Sequence, residues 1–181
     1  MISLKLSEGF VQIYTGDGKG KTTAAIGQGI RAYGNGLKVI MIQFLKSGET
    51  GELQTVKELG ENFEIFRFKK RKGFVWTLSE EEKEEVKKEV KASYDFLLSI
   101  LEDDRCDVLI IDEIMGVLKN KFLTVEDVIN IIDRKRKHVE IIMTGRNVPK
   151  EIVEKADLVT EMKLVKHYYQ KGIPARKGIE F

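Results

Sequence analysis

A glycine-rich loop is the feature that most constrains the fold of this chain. Its residues, in order, are Thr15, Gly16, Asp17, Gly18, Lys19, Gly20, Lys21, Thr22 and Thr23. The apolar run 10–14 before it predicts a strand, and residues 22–26 predict the start of a helix. Glycines let several backbone N–H groups converge on one anion without a Cβ clash. The sequence therefore predicts a strand, a phosphate-binding loop and a helix whose N-terminus faces the phosphates.

Two side chains of the loop indicate how a nucleotide would be bound. Lys21 is expected to neutralise phosphate oxygens, and the Thr22 hydroxyl is expected to ligate Mg²⁺. The usual pattern has its first glycine at the position that Thr15 occupies here. We therefore expect a phosphate loop that is one residue shorter or differently shaped. A flexible turn with a chance Gly-Lys-Thr is the less favoured alternative, because strand and helix signals flank the loop.

Short apolar runs alternate with longer amphipathic segments along the rest of the chain. The runs at 38–44, 106–112 and 139–144 are rich in β-branched residues, which is typical of strands buried on both faces. This alternation predicts an α/β fold with a mostly parallel sheet flanked by helices on both faces. Ligands of such a sheet bind beyond the carboxyl ends of its strands.

Capping signals predict three of the helices. Ser79 followed by Glu82 resembles a capping box and begins a helix that we expect to extend to about residue 101. Thr124 is expected to cap a second helix, and Pro149 is expected in the first turn of a third.

Composition limits the classes of function. A length of 181 residues with 42% hydrophobic content suits one compact domain, 1–181. A net charge of +2 implies no general polyanion-binding surface, which argues against a nucleic-acid partner. The single Cys106 excludes an internal disulfide, and no apolar stretch has the ~20 residues that cross a bilayer. We expect a cytoplasmic protein with no membrane partner.

Asp112 and Glu113 end the buried run at 106–112. A strand-end carboxylate pair beyond a phosphate loop predicts a metal site, with Asp112 and Glu113 pointing to different sides. The first would organise the metal, and the second would activate a water or ligate the metal. The ordinary alternative is that one carboxylate caps the following segment.

The segment 66–76 interleaves cationic and aromatic side chains. It could stack bases of a single strand or line a site for a large flat organic ligand. For Phe66 and Phe68 we favour packing in the core. For Phe74 and Trp76, which follow a glycine, we favour contact with a ligand.

Five motifs together resemble the P-loop family of ATP:cob(I)alamin (corrinoid) adenosyltransferases. They are the loop at 15–25, Gly73-Phe74-Val75-Trp76, Asp112-Glu113, Thr144-Gly145-Arg146 and the ending that begins Val165-Lys166-His167. The resemblance covers almost the whole chain. It implies a single P-loop NTPase (RecA-like) domain that transfers the 5′-deoxyadenosyl group of ATP to the Co(I) of a corrinoid and releases triphosphate.

The resemblance also implies roles for individual residues. Lys21, Thr22 and Glu113 would be catalytic, and Thr22, Glu113 and Asp112 would hold Mg²⁺. The nucleotide would be bound by the loop together with Arg31, in an orientation reversed relative to ordinary P-loop hydrolases. Phe74 and Trp76 would lie at the corrinoid and help displace its lower axial ligand. A homodimer and a reduced flavodoxin-like electron donor are further implications.

Other classes remain open on the residues alone. The main alternative is a RecA-like P-loop ATPase that acts on nucleic acid, with Glu113 positioning water. A P-loop kinase of small metabolites and a nucleotide-binding regulatory module are two more.

Overall fold

The fold is built on a six-stranded sheet in which every pairing is parallel. The computed structural model describes residues 5–46, 48, 50–68 and 78–180. The strands are β1 (Val11–Thr15), β2 (Val39–Gln43), β3 (Phe63–Phe66), β4 (Val108–Asp112), β5 (Glu140–Thr144) and β6 (Leu158–Glu161). Their order across the sheet is β3-β2-β4-β5-β1-β6. The α/β prediction with a mostly parallel sheet is confirmed.

The described part of the chain forms six α-helices and one 3₁₀ helix. They are α1 (Lys21–Gly34), α2 (Gly51–Leu59), α3 (Glu80–Glu102), α4 (Ile114–Lys119), α5 (Val125–Asp133), α6 (Lys150–Lys155) and a 3₁₀ helix at Tyr168–Lys171. Capping boxes at Ser79 and Thr124 begin α3 and α5, as the sequence predicts. Pro149 is the N-cap of α6, one residue earlier than expected. No helix among the described residues is long and apolar enough to cross a bilayer.

Helices cover both faces of the sheet, and each face has its own hydrophobic cluster. Leu109 and Ile111 of β4 pack in the cluster that includes buried residues of α3, α5 and α6. Val108 and Ile110 of the same strand pack in the cluster that includes buried residues of α1 and α2. All five residues of β4 are buried, and the four before Asp112 are apolar, as expected of a strand that is covered on both faces.

Phe66 and Phe68 are half-buried and pack against the hydrophobic core, as expected. Their rings meet the Phe96 ring of α3 edge-on, with centroids 4.9 and 5.6 Å away. Such pairs add to the hydrophobic stabilisation of burial.

The strand order determines which loops meet. β5 lies between β1 and β4, so the phosphate loop after β1 and the carboxylates at the end of β4 flank the end of β5. Parallel strands place these three ends at one edge of the sheet, which is where ligands of such folds bind.

Candidate active site

The loop between β1 and α1 has the backbone geometry that its glycines predict. Gly16 and Gly20 have φ values of +97° and +121°, a region that side-chain-bearing residues rarely adopt. A Cβ on Gly16 would lie 2.4 Å from the carbonyl oxygen of Met162. The Gly18 N–H donates to that same carbonyl at 2.7 Å. One amide of the loop is thus committed to the segment after β6, which gives this loop a shape of its own.

The side chain of Lys21 curls back over the loop. Its Nζ donates to the carbonyl oxygens of Gly16 and Gly18 at 2.6 and 2.7 Å. Burial, and after it the nearby guanidinium of Arg146, lower the pKa of Lys21. Arg146 is itself exposed and lies 3.9 Å from Asp17, so an anion bound beside Lys21 would relieve the repulsion between the two cations.

Asp112 is the centre of the polar network behind the loop. Its carboxylate is fully buried, accepts three side-chain hydrogen bonds and forms one ion pair. Oδ1 accepts from the hydroxyls of Thr22 at 2.8 Å and Thr144 at 2.6 Å. Oδ2 accepts from Nε2 of Gln43 at 3.0 Å and forms an ion pair with Nζ of Lys46 at 2.9 Å. A carboxylate offers about four lone-pair positions, and three hydrogen bonds together with the Lys46 ammonium satisfy Asp112.

Glu113 differs from its neighbour in both backbone and environment. It has a φ of 62°, in the left-handed region, and its N–H donates to Thr144 Oγ1 at 2.9 Å. Burial, and after it the charge of Asp112, raise the pKa of Glu113. A strained backbone and a destabilised carboxylate are typical of functional positions. The two carboxylates do have separate surroundings, as the sequence indicated.

Lys21, Thr22 and Lys46 border an open cleft of about 1260 Å³, whose lining does not include Asp112 or Glu113. One wall is the phosphate loop and the start of α1, and another is the C-terminal segment 163–180. The loop residues at the cleft are Asp17, Gly18, Lys19, Gly20, Lys21, Thr22 and Thr23, joined by Lys46 and Arg146. The segment is tied to the loop by a 2.9 Å bond from Lys19 Nζ to the carbonyl of Ile179. The structure therefore brings together the phosphate-binding residues that the sequence predicts.

Comparison with known proteins identifies the family. Residues 7–181 match the family model described as ATP:corrinoid adenosyltransferase BtuR/CobO/CobP. The chain belongs to this family. A corrinoid adenosyltransferase of Pseudomonas aeruginosa is 33% identical over 96% of this chain and 84% of its own length. Corrinoid adenosyltransferases of Escherichia coli K12 and Salmonella typhimurium are each 32% identical over 96% of this chain and 86% of their own length.

The fold has a wider distribution than the family. The flagellar accessory protein FlaH of Methanocaldococcus jannaschii superposes with a TM-score of 0.53 at 18% identity, over 86% of this chain and 72% of its own. This likeness concerns the architecture alone. Membership of the corrinoid adenosyltransferase family, by contrast, is shown by sequence over nearly the whole chain. This membership does not favour the alternative of an ATPase that acts on nucleic acid.

Arg31 lies away from the cleft. Arg31 is in the last turn of α1, exposed, with its guanidinium 3.4 Å from Oε1 of Gln28, and it does not line the cleft. Phe74 and Trp76 lie outside the described residues. Their corrinoid role in this adenosyltransferase stays a prediction, as does the nucleotide role of Arg31.

Sequence reasoning gave the residues that surround Asp112 no role beside that carboxylate, although Thr144 belongs to the Thr144-Gly145-Arg146 motif. Gln43, Lys46 and Thr144 each follow or end a strand at the same sheet edge, and Gln43 lies opposite Asp112 in the parallel register. A polar residue that ends an apolar strand run is the signal that could have found Gln43 and Thr144.

Arg67 was also missed, because in the sequence it belongs to the basic stretch. Its Nε donates to Oε1 of Gln43 at 2.7 Å, and its Nη atoms donate to the Gly48 carbonyl and the Thr50 hydroxyl, each at 2.6 Å. Glu52 lies 3.4 Å away. Arg67 thereby fastens the loop that carries Lys46 to the polar network of the adenosyltransferase site.

Proposed function

We propose that this adenosyltransferase transfers the 5′-deoxyadenosyl group of ATP to the Co(I) of a corrinoid, with the cleft holding the triphosphate as leaving group. The observation that carries the proposal is the junction of the phosphate loop with the strand-end acid, where Thr22 donates to Asp112 at 2.8 Å. Family membership supplies the substrates, ATP and a corrinoid. Co(I) attacks the ribose C5′, the bond from C5′ to oxygen breaks, and its electron pair stays on the triphosphate.

The chain's own residues favour this step electrostatically. Negative charge accumulates on the triphosphate as the bond breaks, so preorganised cations and amides at the leaving group stabilise the transition state. Lys21 and Arg146 supply the cations, and the loop amides together with the N-terminus of α1 supply dipoles. An anion between the two cations would also offset the repulsion that lowers the pKa of Lys21. No activated water is needed in this chemistry.

The oxygen ligands at the site fit Mg²⁺. Thr22 offers a hydroxyl, and Glu113 offers a carboxylate whose raised pKa reflects burial without a partner cation strong enough to offset it. Asp112 would orient Thr22 from behind through the bond between them. Bound there, the metal would neutralise charge on the triphosphate. Thr22, Glu113 and Asp112 are therefore the residues that we assign to it.

The remaining assignments rest on the family. Asp17, Lys19, Thr23 and Arg31 would contact the nucleotide, and Phe74 with Trp76 would contact the corrinoid. A single domain over 1–181, a homodimer, a reduced flavodoxin-like donor and a cytoplasmic location complete the proposal.

The direct test supplies ATP, Mg²⁺ and chemically reduced cobalamin. We expect the absorbance change of cobalt–carbon bond formation, with triphosphate as the phosphate product. Orthophosphate released without alkylation of cobalt would overturn the proposal. Adding single-stranded DNA should change neither product nor rate, whereas DNA-stimulated release of orthophosphate would favour the nucleic-acid ATPase.

The corrinoid role has its own test. Phe74→Ala and Trp76→Ala should impair adenosylation that starts from Co(II) and a flavoprotein reductant more than adenosylation of pre-reduced Co(I). The reason is that displacing the lower axial ligand eases reduction, a step that pre-reduced cobalt has already passed. Equal losses under both conditions would contradict this role.

A further inference from the structure

Lys46 is placed where a cation can serve two partners. It follows β2 by three residues, and its Nζ lies 2.9 Å from Asp112 Oδ2 and 3.4 Å from Thr22 Oγ1. Its side chain is 26% exposed and borders the cleft beside the phosphate loop. The ammonium therefore sits between the buried acid and the surface that faces the nucleotide.

Lys46 is the most easily exchanged of the four partners of Asp112. Thr22, Thr144 and Gln43 are neutral and belong to α1, β5 and β2, whose backbones are fixed by helix and sheet hydrogen bonds. Lys46 is charged, lies on a loop and carries a flexible four-carbon stem. Among the described residues it is the one cation in direct contact with this carboxylate.

A triphosphate in the cleft would compete with Asp112 for this ammonium. It carries several negative charges, and the phosphate loop places it beside Thr22, within reach of a lysine whose Nζ is already 3.4 Å from that hydroxyl. A divalent cation that enters with ATP at Thr22 would take over the neutralisation of Asp112. Removing this cation from a buried carboxylate is otherwise costly, so the two exchanges support each other.

We propose that Lys46 is a second catalytic lysine, which turns from Asp112 to the triphosphate of ATP and stabilises the leaving group together with Lys21. The proposal rests on the adenosyl transfer proposed above. It differs from a fixed role in which Lys46 only neutralises Asp112. In the fixed role the ammonium never touches the nucleotide, and any loss on substitution comes from the buried acid.

Inorganic triphosphate is the probe that separates the two roles, with binding measured by titration calorimetry in the presence of Mg²⁺, which the exchange at Asp112 requires. Lys46→Met retains a stem of similar length without the charge, and Lys46→Arg retains the charge. Lys57→Met on the exposed face of α2 is the matched control. Loss of a charge-assisted contact should weaken binding about tenfold or more in Lys46→Met. Lys46→Arg should lose less, and Lys57→Met should bind like the wild type.

Asp112→Asn provides a background in which Lys46 has no carboxylate to neutralise, so a loss of triphosphate binding cannot be explained by the buried acid. With a neutral Asn at this position the side chain that Lys46 contacts carries no charge, so adding Lys46→Met should cost less fold stability by thermal unfolding than Lys46→Met costs in the wild type. If Lys46 contacts triphosphate, the double variant still binds the probe about tenfold or more weakly than Asp112→Asn alone. If Lys46 only neutralises Asp112, both bind equally, and the proposal is overturned.

A kinetic readout completes the test. With pre-reduced cob(I)alamin, Lys46→Met should lower kcat more than it raises KM for ATP, because the contact strengthens as charge develops on the leaving group. If the wild type adenosylates cobalamin but Lys46→Met binds triphosphate with unchanged affinity, only the role of Lys46 is refuted. A wild type that forms no cobalt–carbon bond would instead refute the proposed function.

Discussion

Thr144 joins the two carboxylates of the site, and replacing it with valine tests how the site is held. The Thr144 hydroxyl donates to Asp112 Oδ1 at 2.6 Å and accepts the backbone N–H of Glu113 at 2.9 Å. The side chain is 1% exposed, so water cannot replace either bond without rearrangement. Valine has almost the same shape and provides neither partner. Thr144→Val therefore removes two hydrogen bonds without opening a cavity.

The cost follows from those two bonds. Losing a hydrogen bond to a charged acceptor costs about 1.5–3 kcal/mol, and a buried donor left without a partner costs about 1–3 kcal/mol. We expect a loss of about 3–5 kcal/mol in the free energy of unfolding. For a chain of this length each kcal/mol shifts Tm by about 2–4 °C, so Tm should fall by about 10 °C. Thr144→Ser keeps the hydroxyl and loses one methyl group, at about 1 kcal/mol.

Urea unfolding of the wild type, Thr144→Ser and Thr144→Val measures the difference. The same proteins should be assayed with pre-reduced cob(I)alamin, because Glu113 loses the contact that fixes its left-handed backbone. We expect kcat to fall in Thr144→Val and to stay near the wild type in Thr144→Ser. A valine variant as stable as the serine variant would show that the network does not depend on this hydroxyl.

Three further predictions concern the carboxylate, the loop anchor and the glycine loop. Burial raises the pKa of Glu113, so its ionised form opposes folding above that pKa. Glu113→Gln should therefore raise Tm at pH 8, and the gain should shrink as the pH falls through the raised pKa toward the ordinary value. The same substitution should lower the rate of adenosylation. An equal Tm gain at pH 4 would contradict the cause. Arg67→Lys cannot reproduce three directed bonds and should cost about 1–3 kcal/mol in urea unfolding and raise KM for ATP, whereas Arg134→Lys on the exposed end of α5 should do neither. Gly16→Ala and Gly36→Ala both place a Cβ at positive φ, but only at Gly16 does it meet backbone, 2.4 Å away; calorimetry should show loss of ATP binding in the first and not in the second.

The parts of this fold that depend on local chemistry could be predicted from the sequence. The capping boxes at Ser79 and Thr124 depend on residues three positions apart, and both helices begin there. The buried run that ends at Asp112 identifies a central strand because both of its faces are covered. The meeting of Thr22 with Asp112 follows from parallel strands that end at one edge of the sheet.

The partners of Asp112 depend on contacts between distant parts of the chain, and the sequence does not encode those locally. Gln43 is a partner because the register of β2 against β4 places it opposite Asp112. Thr144 is a partner because β5 lies between β1 and β4, an order that no local pattern determines. The C-terminal segment reaches the cleft for the same kind of reason, through the bond from Lys19 to the Ile179 carbonyl.

The four partners of Asp112 assign different roles to the two carboxylates. A group with four partners can orient Thr22 and hold Lys46, but it can ligate a metal directly only when one partner leaves. Glu113 has a raised pKa, so a cation placed beside it would recover free energy that burial costs. We infer that Glu113 and Thr22 ligate the metal while Asp112 organises them from behind. Asp112→Asn should then weaken activity less than Glu113→Gln, and the reverse order in kcat would show that Asp112 is the principal ligand.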